Sequence, residues 1–272
     1  MSGKGQFQVI PVSVFCLVFV ACAQEIGDHT TTIGPCRPAW SSTTFTVVTY
    51  NIHAGVGRDG KRDLARTAET LRGADIVGLQ EVDNRRPRSG FENQARTLAT
   101  RLGHGYWRHF PAEDYWPFGT YGNALTSSYP VSASDAFLLP VIEGKPPRRL
   151  AWSKVLVNCK PTHVFVIHVT RAEARQSGRE LQVQAALAFI KQKTNRMKEK
   201  GILMGDLNLE RRDPAIHFLR QHLVEVTSRI AGDDGRSNLI DYIFVWGEVE
   251  VLEAHIIDDG SSDHPAVFAT LR

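Results

Sequence analysis

The sequence predicts an α/β protein built as a four-layer α/β/β/α sandwich, two mixed sheets packed face to face with helices outside. Three observations predict it. Short apolar runs bounded by Gly or polar residues, such as Ile202-Leu203-Met204 before Gly205, read as buried strands. Segments with apolar residues at helical spacing alternate with them. The polar strand ends also repeat: strand to Asn51, helix, strand to Glu81, then strand to His168, helix, strand to Asp206. Two sheets with every polar end at one rim satisfy that repeat.

The first 23 residues read as a leader. Lys4 gives a basic start, and the uncharged run from Val9 to Ala21 is shorter than the roughly 20 residues that span a bilayer. Three readings compete. Ala21-Cys22-Ala23 fits a small-x-small cleavage site, Phe19-Val20-Ala21-Cys22 fits a lipobox with Cys22 lipidated, and the run can also stay as an uncleaved anchor. The expected location is exported: periplasmic, on the outer membrane as a lipoprotein, or secreted. Residues 24–42, rich in Thr, Ser and Pro, read as a linker. The domain is expected over 43–272.

Within it, Thr46 to Tyr50 is a strand ending at Asn51. A helix over Asp63 to Arg72 places Leu64, Ala68 and Leu71 on one face. Asp75 to Gln80 is a strand ending at Glu81, then come a basic loop and a helix from Asn93 to Leu102. Residues 104–140 hold short strand-like runs broken by Gly and Pro. Leu150–Val157 and His163–Val169 are adjacent strands. Gly178 to Lys200 is the clearest helix, with Leu181, Ala185, Ala188 and Phe189 as its expected apolar stripe. A short helix follows over Pro214 to His222. Asp241–Val245, Val249–Ile257 and Ala266–Leu271 close the chain as strands.

Composition limits the partners. At 272 residues, 22% charged and net charge +3, the chain is an ordinary globular one with no bulk attraction to nucleic acid or anionic lipid. Outside the leader the cysteines are Cys36 and Cys159. They can bridge in an oxidising compartment, or Cys159 can be a free buried thiol in a strand.

The strand ends carry the chemistry. Asp206 and Asn208 are two residues apart, hence on one face if extended, and a core has no use for them there. An Asx turn closing the strand is the structural alternative. With Asn51, Glu81, His168 and the pair Asp263-His264, the strand ends gather acids, amides and imidazoles suited to metal-assisted hydrolysis.

Seven short motifs stand in order: Thr49-Tyr50-Asn51-Ile52-His53, Leu79-Gln80-Glu81-Val82-Asp83, Tyr121-Gly122-Asn123-Ala124-Leu125, Ile167-His168, Gly205-Asp206-Leu207-Asn208, Ile240-Asp241-Tyr242-Ile243 and Ser262-Asp263-His264-Pro265. In that order they resemble the endonuclease/exonuclease/phosphatase superfamily from about residue 44 onward, and its small exported bacterial members in particular. The resemblance implies a hydrolase that uses Mg2+, with Mn2+ or Ca2+ as alternatives. Glu81, Asn51 and Asp263 would serve the metal. Asp206 would position or deprotonate the attacking water, Asn208 would donate to a phosphate oxygen, and His264 would contact the phosphate or act as base, oriented by Asp241. His168 would be a general acid or phosphate contact. Tyr121, Asn123 and Arg148 would lie on the phosphate side. The loop Arg85-Arg86-Pro87-Arg88 offers further anion contacts or plain solvated charge. Tyr115-Trp116-Pro117-Phe118 is an apolar loop of open purpose. His53, His104, His109, His217, His222 and His255 have no expected partners.

The expected reaction is hydrolysis of a phosphodiester or phosphomonoester by in-line attack of water, with a lipid head group or a small phosphodiester as the favoured substrate, by a monomer that lipidation of Cys22 would hold at a membrane. DNA or RNA is the alternative, and a non-catalytic binding module the second. Val169-Thr170 and Leu239 depart from the commoner family pattern and bear on substrate choice.

Overall fold

The structure, a computed structural model, describes residues 43–171, 176–230 and 239–272. The leader, the linker with Cys36, and Asn238 lie outside the described residues.

Two six-stranded sheets form the body. The first has the order β11-β12-β1-β2-β4-β3, from β1 (Phe45–Asn51), β2 (Ile76–Asn84), β3 (Tyr106–Asp114), β4 (Thr120–Ser127), β11 (Val251–Ile257) and β12 (Ala266–Leu271). The second has the order β5-β6-β7-β8-β10-β9, from β5 (Val131–Leu138), β6 (Arg149–Val157), β7 (Lys160–His168), β8 (Gly201–Asp206), β9 (Val224–Glu225) and β10 (Asp241–Trp246). Each sheet has one parallel pair near its middle, β1 with β2 and β7 with β8, and antiparallel neighbours around it. The parallel pairs are joined through α1 (Leu64–Thr70) and α3 (Gln176–Lys193), so the repeat in the sequence is the two βαβ centres. The helices α2 (Gln94–Leu102) and α4 (Pro214–Arg220) complete the set.

Side-chain parity assembles the layers. Val47, Val166, Met204, Ile243 and Val267 meet between the sheets. Val48, Tyr50, Leu79 and Phe268 pack outward with Leu64, Leu71 and Leu98, while Phe165, Leu203 and Phe244 pack outward with Val183, Ile190 and Ile216. The predicted four layers are therefore the observed ones. Asp63, Asn93 and Asp213 cap their helices by accepting backbone N–H bonds, as their positions before apolar periodic segments suggest.

Four expectations need correction. Residues 104–140 form three full strands, not broken fragments. α3 ends at Lys193, seven residues early, where Asn195, Arg196 and Met197 turn into positive φ. Its buried face is Val183, Ala186, Leu187, Phe189 and Ile190, so Phe189 of the expected stripe is buried while Leu181 and Ala188 are exposed. Cys159 is neither free nor in a strand. It is disulfide-bonded and sits with Asn158 in the two-residue β6–β7 turn, both at positive φ as in a type I′ hairpin turn.

Candidate active site

The site is the rim where the inter-sheet core ends. Val47 and Thr49 alternate toward the other sheet, and the next residue on that face is Asn51. The same step leads from Val164 and Val166 to His168, and from Ile202 and Met204 to Asp206. It leads from Val245 and Ile243 back to Asp241. The register then aligns three of these side by side, because His168 pairs with Asp206 across β7–β8 and Asp241 pairs with Asp206 across β8–β10. Gly205 makes this approach feasible. Its φ is +151°, and a Cβ there would stand 1.9 Å from the Ile167 carbonyl oxygen.

Asp206 is the hub. Its Oδ2 accepts from Asn51 Nδ2 at 3.1 Å, across from sheet to sheet, and its Oδ1 accepts from the Asn208 backbone N–H at 2.8 Å. His264, just before β12, turns Nδ1 to Asp241 Oδ2 at 2.7 Å and Nε2 to within 3.9 Å of Asp206 Oδ2. His168 Nε2 stands 3.4 Å from the same oxygen without an aligned hydrogen bond. That contact is no ion pair: burial, then the charges of Arg148, His264 and Arg171, hold His168 well below the ordinary imidazole range, so it is neutral.

The remaining charges separate in an instructive way. Burial, then the Asp241 charge, raises Asp206 to about 7 against the pull of His264 and the bonds from Asn208 and Asn51. Burial also raises Asp241, opposed by His264. Burial disfavours charge on His264, but the bond to Asp241 and the charges of Asp241, Asp206 and Asp263 outweigh it and raise His264 to about 9. A carboxylate poised near neutrality thus faces an imidazolium.

Glu81 reaches the rim through a β-bulge. Leu79 and Val82 both face outward and pair with Ala124 and Gly122, so Gln80 and Glu81 together oppose Asn123. Glu81 adopts φ +60°, uncommon for this residue type. Gln94 braces the bulge by accepting from Asp83 N–H at 2.9 Å and donating to the Ala54 carbonyl at 2.7 Å.

Two donor sets could hold a hard cation. Asp206, Asp241 and His264 bring ligand atoms within 4.8 Å of one another. His264 is the weakest member, since its Nδ1 is bonded to Asp241 and the ring is protonated at neutral pH. The second set is Glu81, whose carboxylate has no hydrogen-bond partner among the described residues, with Asn51. Asp241 Oδ1 is also buried without a partner. A half-buried carboxylate without a partner and a free oxygen on a buried one fit a divalent cation with oxygen ligands.

The other expected residues divide. Arg148 is buried, with Nε unpartnered and Nη1 3.9 Å from Glu113, so it is a desolvated cation near His168 and not loop charge. Tyr121 sits at the rim with its phenol raised by burial and by Glu81. Asn123 differs from expectation: its Nδ2 donates inward to the carbonyls of Arg149, at 2.8 Å, and Val166, at 3.3 Å, tying the two sheets together. Asn208 spends one Nδ2 bond on the Val169 carbonyl at 3.0 Å. Asp263 is mostly exposed. Arg88 forms a bidentate pair with buried Asp83, and Arg86 lies over the Tyr115 ring, so neither is free loop charge.

The loop holding His264 is fixed by side chains to which the sequence assigned no role. Tyr50 Oη bonds Ser261 Oγ, which bonds Thr70, which bonds Asp259, and Ser262 Oγ donates to the Asn51 carbonyl. His53 does have a partner, Asp263 at 3.7 Å, and its backbone N–H donates to Asn51 Oδ1. His104 is buried and His109 half-buried, and they are bonded to Thr126 and Thr120.

Comparison with known proteins agrees with this geometry. The sequence model of the Endonuclease/Exonuclease/phosphatase family matches residues 48–264. No curated protein matches the chain. Among solved structures, an endonuclease/exonuclease/phosphatase from Beutenbergia cavernae superposes with TM-score 0.70 at 22% identity, covering 84% of this chain and 71% of its own. The human nocturnin catalytic domain with bound sulfate gives 0.69 at 19% identity, covering 84% and 93%. A mannosyl-6-phosphatase from Bacteroides thetaiotaomicron gives 0.68 at 18% identity, covering 84% and 99%. At these identities the likeness is one of fold.

Proposed function

The chain belongs to the Endonuclease/Exonuclease/phosphatase family, whose members hydrolyse phosphoester bonds, and from that premise we propose a divalent-metal-dependent hydrolase acting on a lipid head group or a small phosphodiester. The observation that carries the reading is the convergence of Asn51, Glu81, His168, Asp206, Asp241 and His264 on one rim, with Asp206 and His264 in opposite charge states.

The residues take these roles. Asp206, accepting from Asn51 and Asn208, receives the proton of the attacking water as its oxygen bonds to phosphorus and the phosphorus–leaving-group bond breaks. His264, kept charged by Asp241, faces the phosphate oxygens and not the water. His168 offers a neutral Nε2 to the phosphate, and Arg148 adds a desolvated positive charge beside it. Glu81, Asn51 and Asp241 Oδ1 would hold the cation, Mg2+ in the first instance, which would neutralise a phosphate oxygen. Tyr121 and Asn208 line the phosphate side, and Asp263 assists from the edge.

The charge around the rim supports a substrate other than nucleic acid. Arg88 is neutralised by Asp83 and the net charge is only +3, which weakens the case for tracking a phosphate backbone. The apolar run Val9–Ala21 supports export, with Cys22 as lipid attachment point, residues 24–42 as tether and 43–272 as the catalytic domain. No helix among the described residues is long and apolar enough to cross a membrane.

The test is a substrate panel with magnesium: bis-p-nitrophenyl phosphate, sphingomyelin, phosphoinositides and plasmid DNA. Turnover of the lipids or the small diester supports the reading. Turnover of DNA alone replaces it with a nuclease.

A further inference from the structure

Among the described residues every exposed Phe, Tyr or Trp side chain comes from two loops: Phe91 from the β2–α2 loop, and Tyr115, Trp116 and Phe118 from the β3–β4 hairpin. Trp116, at the hairpin tip, is 79% exposed. Leaving side chains of this size in water is unfavourable, and their clustering marks a contact surface.

The two loops are one unit. Gly119 presses against the β2 end so closely that a Cβ would lie 2.2 Å from the Asn84 carbonyl oxygen. The Arg86 guanidinium lies 3.2 Å over the Tyr115 ring, and Arg86, Pro87, Asp114, Tyr115, Trp116 and Phe118 line one shallow cleft. The unit also adjoins the candidate site. Tyr121 and Asp83 pair in the ladder just below the hairpin, Arg88 stands 5.3 Å over the Tyr121 ring, and Tyr115 Oη donates to Glu113, which lies 3.9 Å from Arg148.

We propose that the hairpin 114–119 and the loop 85–91 dock the protein onto the headgroup region of a phospholipid bilayer, with Trp116 and Phe118 entering the interface beside the active-site rim. The identity of the surface as a lipid one rests on the lipid head-group reading above. Two features favour a bilayer over stacked bases. The patch carries no excess of positive charge, with Arg85, Arg86 and Arg88 against Asp83, Glu92, Glu113 and Asp114, whereas single-stranded nucleic acid needs a basic groove beside its stacking platform. Trp and Tyr with flanking Arg are the side chains that settle at a membrane–water boundary, the ring in the apolar edge and the cation among phosphates.

The experiment uses the full chain, with Trp116→Ala/Phe118→Ala and Trp116→Phe variants. Sedimentation with phosphatidylcholine vesicles, with and without phosphatidylserine, reads binding. Quenching of tryptophan fluorescence by brominated phosphatidylcholine reads which indole enters. Hydrolysis of soluble bis-p-nitrophenyl phosphate is measured in parallel. The double variant should bind vesicles at least about tenfold more weakly while keeping its rate on the soluble diester. Trp116→Phe should keep binding but lose most of the quenching. Unchanged vesicle binding by the double variant, or quenching unaltered in Trp116→Phe, overturns the proposal, as does a parallel anisotropy titration in which the double variant loses binding to a single-stranded oligonucleotide instead. Absence of soluble-diester hydrolysis in the unsubstituted chain would fail the catalytic reading alone, since vesicle binding is scored separately.

Discussion

Asp241 and His264 are joined by a 2.7 Å hydrogen bond that crosses from the second sheet to the first. Asp241 opens β10, and His264 closes the loop before β12, so the bond forms only when the sandwich is assembled. It does two things: it orients the imidazole toward Asp206, and it keeps the ring charged at neutral pH.

Asp241→Asn removes the charge but keeps the shape. The rate should fall roughly a hundred- to ten-thousand-fold. The alkaline limb, set near the His264 value of about 9, should move to lower pH. A pH–rate profile of both proteins checks this, and an unmoved limb would assign it to another group.

Glu81→Gln should abolish saturable magnesium binding in calorimetry while leaving the circular dichroism spectrum unchanged, because the half-buried Glu81 carboxylate has no hydrogen-bond partner to lose among the described residues. Asp263→Asn should weaken binding by less than about tenfold, as expected for an exposed charge. Equal loss in both would place the cation nearer Asp263 than the geometry suggests.

Asn123→Ala should lower stability by about 1–3 kcal/mol, since it leaves the carbonyls of Arg149 and Val166 without their donor. Denaturant unfolding reads this directly. A large rate loss with unchanged stability would restore the phosphate role expected from the sequence.

The metal-free protein should lose stability as pH rises. The Asp206 carboxyl keeps its proton to about 7 when folded but ionises near 3.9 unfolded, so its contribution is lost between those values. The His264 contribution is complete below about 6.5 and lost as pH rises toward about 9. Magnesium should flatten the acidic part of the fall by favouring carboxylates. Thermal unfolding from pH 5 to 9, with and without magnesium, checks the sign.

Much of this arrangement is legible in the sequence because strand ends announce themselves. Apolar runs stopping at Asn51, His168 and Asp206 fix both the strands and the rim. What spacing does not carry is register: that His168, Asp206 and Asp241 stand in one row follows from ladder pairing between distant segments. The bulge at Glu81 leaves a trace, Leu79 and Val82 facing the same way at a spacing of three, but such a trace has other readings. The burial of Arg148 and the inward bonds of Asn123 leave none. The phase of α3 misleads because residues 185–190 are all apolar, so several faces look equally suited to the core.

The most direct measurement is hydrolysis of bis-p-nitrophenyl phosphate by the unsubstituted protein and by Asp206→Asn, each with magnesium and with chelator. The account predicts turnover in the unsubstituted protein with magnesium, its loss on chelation, and a fall of roughly a hundredfold or more in the variant. Equal rates in the variant, or turnover indifferent to chelator, would contradict it.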